Sequence, residues 1–334
     1  MARIAASFPN PSEAGPAPAA SGGSAPPAGV LSFQPLHESP VLTVRSYCCR
    51  ACRDGPGAEE RADGNEIVLL RHGAFARHFG CRSVVVDVNQ AAFFSRDSEY
   101  RVSHPVDCGD EGTVIAPSPG VLNDIVREFD PGIDDHPDRP FPFATSPCDP
   151  ALFREHRRIA ERLEAAGTIP LDPLRVDEAL LGFVARVLHS AFERHDRPRR
   201  PQRAAVAADH AERAEAAKAF LASRLGERIT LQDVADAVHA SPFHFARAFR
   251  QHAGVPVHRY LTQLRLRSAL ERLAEGADDL AALAAELGFA SHSHFADAFR
   301  REFGLAPSAA RRQASRRRLG EMRKIPEAGG SRPG

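Results

Sequence analysis

Arg247 and Asp297 hold matching places in two stretches of this chain that repeat each other. Ser241, Phe245, Phe249, Arg250 and Gly254 recur as Ser291, Phe295, Phe299, Arg300 and Gly304, each 50 positions later. An arginine at such a place can donate two hydrogen bonds to O6 and N7 of a guanine, a preference worth about 1–3 kcal/mol. An aspartate cannot donate. It accepts from cytosine N4, or pairs with a neighbouring cation such as His294 or Arg301. Arg250 and Arg300, with Ser241 and Ser291 at the start of each stretch, have the donors that phosphate oxygens take. The chemistry on offer is hydrogen bonding to a nucleic acid, not bond making.

A second group of residues could bind a metal. Cys48, Cys49 and Cys52 form a CC-x-x-C cluster, a spacing that serves zinc or redox chemistry. A fourth ligand would come from His104 or Cys108, or Glu60, His78 and His104 would converge instead. The H-x-H pair of metal-binding β-barrel enzymes is absent from this half of the chain, so the cysteines read as small apolar fillers on a strand. No metal and no cofactor are expected. Nucleophile-elbow, phosphate-loop and zinc-protease patterns are also missing, and the chain does not read as an enzyme.

The repeated side chains need short helices to position them. Leu231, Val234, Ala235 and Val238 form one apolar stripe. They recur 49 positions later as Leu280, Leu283, Ala284 and Leu287. Thr230 suits an N-cap, with Asp233 three residues on. After a break at His239–Ala240, Ser241 offers a second N-cap and Pro242 fits the first helical position. Phe245, Ala248 and Phe249 line the buried face, and Gly254 stops the helix. The second copy has one extra residue in its turn, where Gly288 makes the bend and Phe289 plugs it. Each copy reads as a helix–turn–helix, over 230–254 and 279–304. Val257–Leu273, with Tyr260, Leu261, Leu264, Leu266, Ala269, Leu270 and Leu273 at helical spacing, joins them.

Gly288, Phe289, Ser291, Ser293, Phe295, Phe299, Arg300, Phe303, Gly304 and Pro307 together resemble the signature of AraC/XylS-type transcriptional regulators. The resemblance covers Ala214–Gln313. It implies two recognition helices, about Ser241–His252 and Ser291–Glu302, in successive major-groove segments of duplex DNA. It places base contacts at Phe243, Ala246 and Arg247 on the first helix and at His292, Ser293, Ala296 and Asp297 on the second. Phosphate contacts fall to Ser241, Arg250, Ser291 and Arg300, and Arg265 matches a family position on the joining helix. The chain departs from the pattern at Ala310, where a Tyr is usual, and at Asp297, where an Arg is usual.

The 334 residues suit about two domains. Net charge is zero overall, but positions 209–334 hold 20 Lys and Arg against 15 Asp and Glu, a bias that suits a duplex. No apolar run approaches the ~18 residues of a membrane span, and no signal peptide is evident. The six cysteines do not form the framework of a small secreted domain. A cytoplasmic location is expected, with no membrane partner.

The expected fold class is α+β multidomain. Residues 1–33, rich in Pro, Ala, Gly and Ser, read as a disordered tail. From 34 onward, Glu66–Arg71, Arg82–Val88, Ala91–Ser95 and Thr113–Ala116 read as strands of a β-barrel or sandwich, punctuated by Gly73, Gly80, Asn89 and Gly109. The segment from Gly73 to Glu111 resembles the cupin-like sensory domain found ahead of AraC-type DNA-binding domains. Residues 118–200 read as mostly helical, with apolar stripes over 151–166 and 176–194. The expected domains are a sensory domain with a helical dimerisation segment (34–193), a linker (194–208), a DNA-binding domain (209–314) and a disordered basic tail (315–334). A small effector is expected in a pocket lined by His78, Phe94, Tyr100 and His104. The expected partners are duplex DNA, that effector, a second copy of the chain and RNA polymerase. The competing reading is a cupin-type metal-dependent enzyme or a metal-sensing regulator.

Overall fold

The computed structural model describes residues 30–51, 55–105, 109–165, 172–196 and 204–322. Ten strands come first: β1 (Leu31–Glu38), β2 (Leu42–Cys49), β3 (Glu59–Arg61), β4 (Glu66–His72), β5 (Ala74–Phe79), β6 (Arg82–Asp87), β7 (Gln90–Phe94), β8 (Glu99–Ser103), β9 (Asp110–Pro117) and, after one helix, β10 (Thr145–Pro147). They form two antiparallel sheets. One has the order β1-β2-β9-β4-β7-β10 and the other β3-β8-β5-β6. Ile67, Leu69, Phe75, Val86, Phe93 and Ile115 are buried in their core. Val, Ile and Phe favour this pleated, half-covered setting.

The first sheet begins at Leu31, so the boundary expected at 34 moves back into the supposed tail; residues 1–29 lie outside the described residues. Strand β1 pairs with β2 along its length. The region expected to be helical also holds a strand, since β10 pairs with β7 at the sheet edge.

Ten helices follow or intervene: α1 (Pro119–Arg127), α2 (Pro150–Glu164), α3 (Pro173–His195), α4 (Ala204–Ala222), α5 (Leu231–Ala237), α6 (Pro242–Ala253), α7 (Val257–Glu275), α8 (Leu280–Glu286), α9 (His292–Phe303) and α10 (Pro307–Met322). Aspartates start three of them, Asp279 accepting from the backbone N–H of Ala281 and Ala282 at the start of α8. Asp149 accepts from the backbone N–H of Ala151 and Leu152, and Asp172 from that of Leu174, each followed by Pro at the first helical position. Helix α4 begins at Ala204, so the last third of the expected linker, 204–208, is helix; residues 197–203 lie outside the described ones. Helix α10 likewise runs beyond 314, into the segment expected as a basic tail, of which residues 323–334 lie outside the described ones. No described helix is long and apolar enough to cross a membrane.

The helical half rests on the sheets through polar groups. On α4, Glu215 accepts from the Val85 backbone N–H at 2.6 Å and from Lys218 Nζ at 2.8 Å, with His252 Nε2 2.6 Å from the same carboxylate. Burial raises the Glu215 pKa, but the Lys218 and His252 charges outweigh that and hold it at about 2. On α7, the Tyr260 hydroxyl donates to Asp87 at 2.6 Å, and Arg267 donates to the carbonyls of Val88 and of Cys148, the latter at 2.7 Å. Arg267 is fully buried, its guanidinium 4.6 Å above the Phe153 ring. Buried charge persists when its hydrogen bonds are made, and here they are made to the other half of the chain.

Candidate nucleic-acid interface

Helices α5 and α6 form one tight pair, and α8 and α9 a second. Thr230 caps α5 with a full capping box, its hydroxyl accepting from Asp233 N–H while Asp233 accepts from Thr230 N–H. Ser241 accepts from His244 N–H to start α6, and Ser291 from His294 N–H to start α9. Both helices end on left-handed glycines, Gly254 and Gly304. The two turns solve one problem differently: His239 takes φ +51° where Gly288 takes φ +71°.

Phe245, Phe249, Phe295 and Phe299 are fully buried, and their rings meet tilted or edge-on along the inner faces of α6 and α9. Phe289 closes the second turn against Phe295, ring centroids 5.2 Å apart. The opposite faces are open. Phe243 is 73% exposed, and Arg247, Arg250, His292, Ser293, Asp297 and Arg300 are exposed as well. Ala246 and Ala296 are half-buried. Ala246 lines a cleft of about 330 Å³ together with Thr230, Leu231, Val257 and His258. Asp297 pairs with Arg300 at 3.4 Å, not with His294 or the Arg301 guanidinium through its carboxylate. The geometry of one helix turn favours this i,i+3 partner.

Arg265 ties the two helix pairs together. From α7 it donates to the backbone carbonyls of Leu225 at 2.8 Å, Gly288 at 2.9 Å and Glu227 at 2.5 Å. Those carbonyls belong to the segment before α5 and to the turn of the second pair. Ala310 is buried where α10 packs on α7, and Arg311 donates to the Asp278 carbonyl.

In the sheet half, the expected pocket residues do not all meet. Phe94 and Tyr100 are in edge contact at 5.0 Å. His78 pairs across the ladder with Arg101 and bonds Ser103 at 2.7 Å, whereas Glu60 pairs with Tyr100. Side chains alternate along a strand, so His78 lies on the other face of the sheet from Tyr100. His104 meets Cys49 and Asp110 instead. The convergence of Glu60, His78 and His104 is therefore not what the fold makes. The residue missed is Arg77, which is buried, lies 4.3 Å from the Phe94 ring centroid and donates to the Phe93 carbonyl at 2.7 Å. Burial pulls its pKa down to about 10. Its position two after Phe75 on an alternating strand was the available signal. Of the cysteine cluster, Cys48 bonds Glu111 and Cys49 approaches His104; Cys52 and Cys108 lie outside the described residues.

Comparison with known proteins agrees on the helical half. The helix-turn-helix domain family matches residues 234–313. Regulatory protein PocR of Salmonella typhimurium is 31% identical over 94 residues, 28% of this chain and 31% of PocR. The HTH-type transcriptional activator RhaS of Escherichia fergusonii is 36% identical over 89 residues, 27% of this chain and 32% of RhaS. The match thus spans about a third of the length of these relatives. Among solved structures, ToxT from Vibrio cholerae O395 aligns over 85% of this chain and 98% of its own, at 13% identity and a TM-score of 0.32. A transcriptional regulator from Chromobacterium violaceum aligns over 31% of this chain and 93% of its own, at 25% identity and a TM-score of 0.30.

Proposed function

We propose that this chain is a sequence-specific DNA-binding transcriptional regulator of the AraC/XylS class, controlled by a small effector; the helix-turn-helix domain family matches residues 234–313, and regulators such as PocR and RhaS are similar over that stretch. The observation that carries the reading is the split between the faces of α6 and α9. Their phenylalanines are buried, while Arg247, Arg250, His292, Ser293 and Arg300 are presented to solvent. In this reading α5–α6 and α8–α9 are two helix–turn–helix units. Phe243, Ala246 and Arg247 read bases from the first unit, and His292, Ser293, Ala296 and Asp297 from the second. Arg250, Arg300, Ser241 and Ser291 bind phosphates and set register.

The sheet half is read as a cupin-like sensory domain whose effector sits beside Phe94, Tyr100 and Arg77. A second copy of the chain docks on the helices that follow; Leu174 on α3 is 67% exposed there. Binding of the full chain to genomic DNA fragments, measured across salt, tests the reading. Affinity for selected sites should fall with a log–log slope of about −0.9 per phosphate neutralised. Absence of binding, or binding indifferent to salt, removes it.

A further inference from the structure

We propose that Cys49, His104 and Asp110 form a site for a zinc-class transition-metal ion, separate from the surfaces that read DNA. The three donor atoms lie within 4.8 Å of one another. Cys49 Sγ is 3.4 Å from His104 Nε2, and His104 Nε2 is 2.9 Å from Asp110 Oδ2. Zn–S of ~2.3 Å and Zn–N or Zn–O of ~2.0 Å at tetrahedral angles require about 3.5 Å between sulfur and nitrogen and about 3.3 Å between nitrogen and oxygen. The first separation already fits, and the second needs to open by about 0.4 Å.

The surroundings favour a ligand over a simple ion pair. Asp110 is 3% exposed, and its Oδ2 faces His104 Nε2 at 2.9 Å with no other partner. The other carboxylate oxygen, Oδ1, accepts from the Tyr47 hydroxyl at 2.8 Å. That contact turns Oδ2 toward the sulfur and the imidazole, which is how an outer hydrogen bond orients a metal-binding carboxylate. His104 is 7% exposed. Cys49 is half-buried and leaves a path for entry.

The backbone also brings the ligands together. Cys49 and Asp110 are directly paired at the ends of β2 and β9. Gly109 precedes Asp110 at φ +78°, and a side chain there would come within 1.9 Å of the Cys49 carbonyl oxygen. Only glycine lets the chain turn tightly enough to place Asp110 beside Cys49. Thiolate, imidazole and carboxylate together suit zinc or cobalt and disfavour magnesium or calcium, which take oxygen ligands. Three protein ligands leave a fourth position for water or an exchangeable ligand. On binding, the Cys49 thiol proton and the His104 Nε2 proton shared with Asp110 both pass to solvent.

Co(II) titration of the full-length, reduced, metal-free protein tests the site. The expected result is one Co(II) per chain with a thiolate-to-cobalt charge-transfer band, lost when Zn(II) is added. Cys49→Ser should abolish the band, and His104→Gln or Asp110→Asn should each abolish tight binding. Tyr47→Phe should weaken binding by about 10-fold or more. Cys81→Ser should change nothing. Should a ligand variant fail to fold, the wild type decides: Zn(II) should slow alkylation of Cys49, mapped by mass spectrometry, relative to Cys81. No charge-transfer band in the wild type, an unchanged band in folded Cys49→Ser, or equal alkylation of Cys49 with and without Zn(II) overturns the proposal. Each outcome is independent of whether the chain binds DNA.

Discussion

The hydroxyl of Tyr260 and the carboxylate of Asp87 meet at 2.6 Å across 173 positions of sequence, and both residues are buried. They lie at the centre of the junction between the sheet half and the helical half. Burial pushes the Asp87 carboxyl above the usual carboxylate range, although Tyr260 and the Asn89 N–H pull the other way. Tyr260→Phe leaves that carboxylate short of a donor. It should destabilise the chain by about 1–3 kcal/mol in denaturant unfolding. With Asp87→Asn already present, the further cost of Tyr260→Phe should be smaller. Purely additive losses would show that the two residues act separately.

If α6 and α9 both read DNA, as proposed, they should contribute unequally. Arg247 is exposed and unencumbered by a partner carboxylate on its own turn, whereas Asp297 holds Arg300 at 3.4 Å. Arg247→Ala should relax the preferred sequence in one half of the site, a loss of about 1–3 kcal/mol of discrimination at a guanine. Asp297→Ala frees Arg300 and removes a negative charge, so it should leave base preference alone and tighten non-specific binding. Selection from random DNA with each variant checks both. A preference unchanged by the first substitution and altered by the second reverses the assignment.

The turns should respond oppositely to substitution. At Gly288, φ is +71° and an added Cβ would lie 2.7 Å from an Arg265 guanidinium nitrogen and 3.0 Å from the Gly226 carbonyl. Gly288→Ala should cost about 2–4 kcal/mol through backbone strain and overpacking. His239 holds the left-handed conformation without being glycine. His239→Gly should stabilise the chain by about 0.5–1 kcal/mol, the strain relieved less the entropy glycine adds to the unfolded chain. Thermal unfolding of both variants is the measurement.

His156 should make the fold sensitive to mild acid. Neither ring nitrogen has a partner, and the ring stacks on Phe183. Burial, then the charges of Arg71 and Arg157, pull its pKa down to about 3. The unfolded chain protonates this imidazole below about pH 6.5, and the folded one does not. Stability is therefore lost as pH falls from about 6.5 toward 3, at up to about 1.4 kcal/mol per pH unit. Glu215 has the opposite cause and a lower window: its pKa is depressed by bound cations, so its contribution fades only below about pH 4.5. His156→Leu should flatten the unfolding free energy between about pH 5 and 6.5 and leave the steeper loss at lower pH. An unchanged slope in the upper window would exclude His156 as its source.

The helices were legible because their signals are local. Thr230 and Ser241 announce their own starts, and Gly254 and Gly304 their stops. The strands β4, β6, β7 and β9 were legible from short Val- and Phe-rich runs between glycines. The domain junction was not. Glu215, Lys218, Gln263, Arg267 and Glu271 look on a helical wheel like a solvated face, yet all are buried. Glu215 meets Val85 and Arg267 meets Val88, each more than a hundred positions away, while Gln263 meets Glu302 and Glu271 meets Arg157 on other helices, and no local pattern carries that. The cluster at Cys49 was half visible: Cys49 and His104 stand out as candidate ligands, but Asp110 does not, because its pairing with Cys49 depends on the β2–β9 register, which a window of sequence does not contain.

Arg265 gives the proposed DNA-reading surface a fixed measure. One guanidinium grips the carbonyls of Leu225, Glu227 and Gly288, so neither helix pair can pivot on α7 without breaking hydrogen bonds. Helix α7 has 19 residues, about 28 Å at 1.5 Å each, against ~34 Å for a full turn of duplex. The molecule therefore acts as a ruler: if both pairs engage one duplex, it is the DNA that must bend or slip when the two half-sites are a base pair too far apart. Tolerance to spacing becomes a property of the operator's flexibility, read at positions no side chain touches.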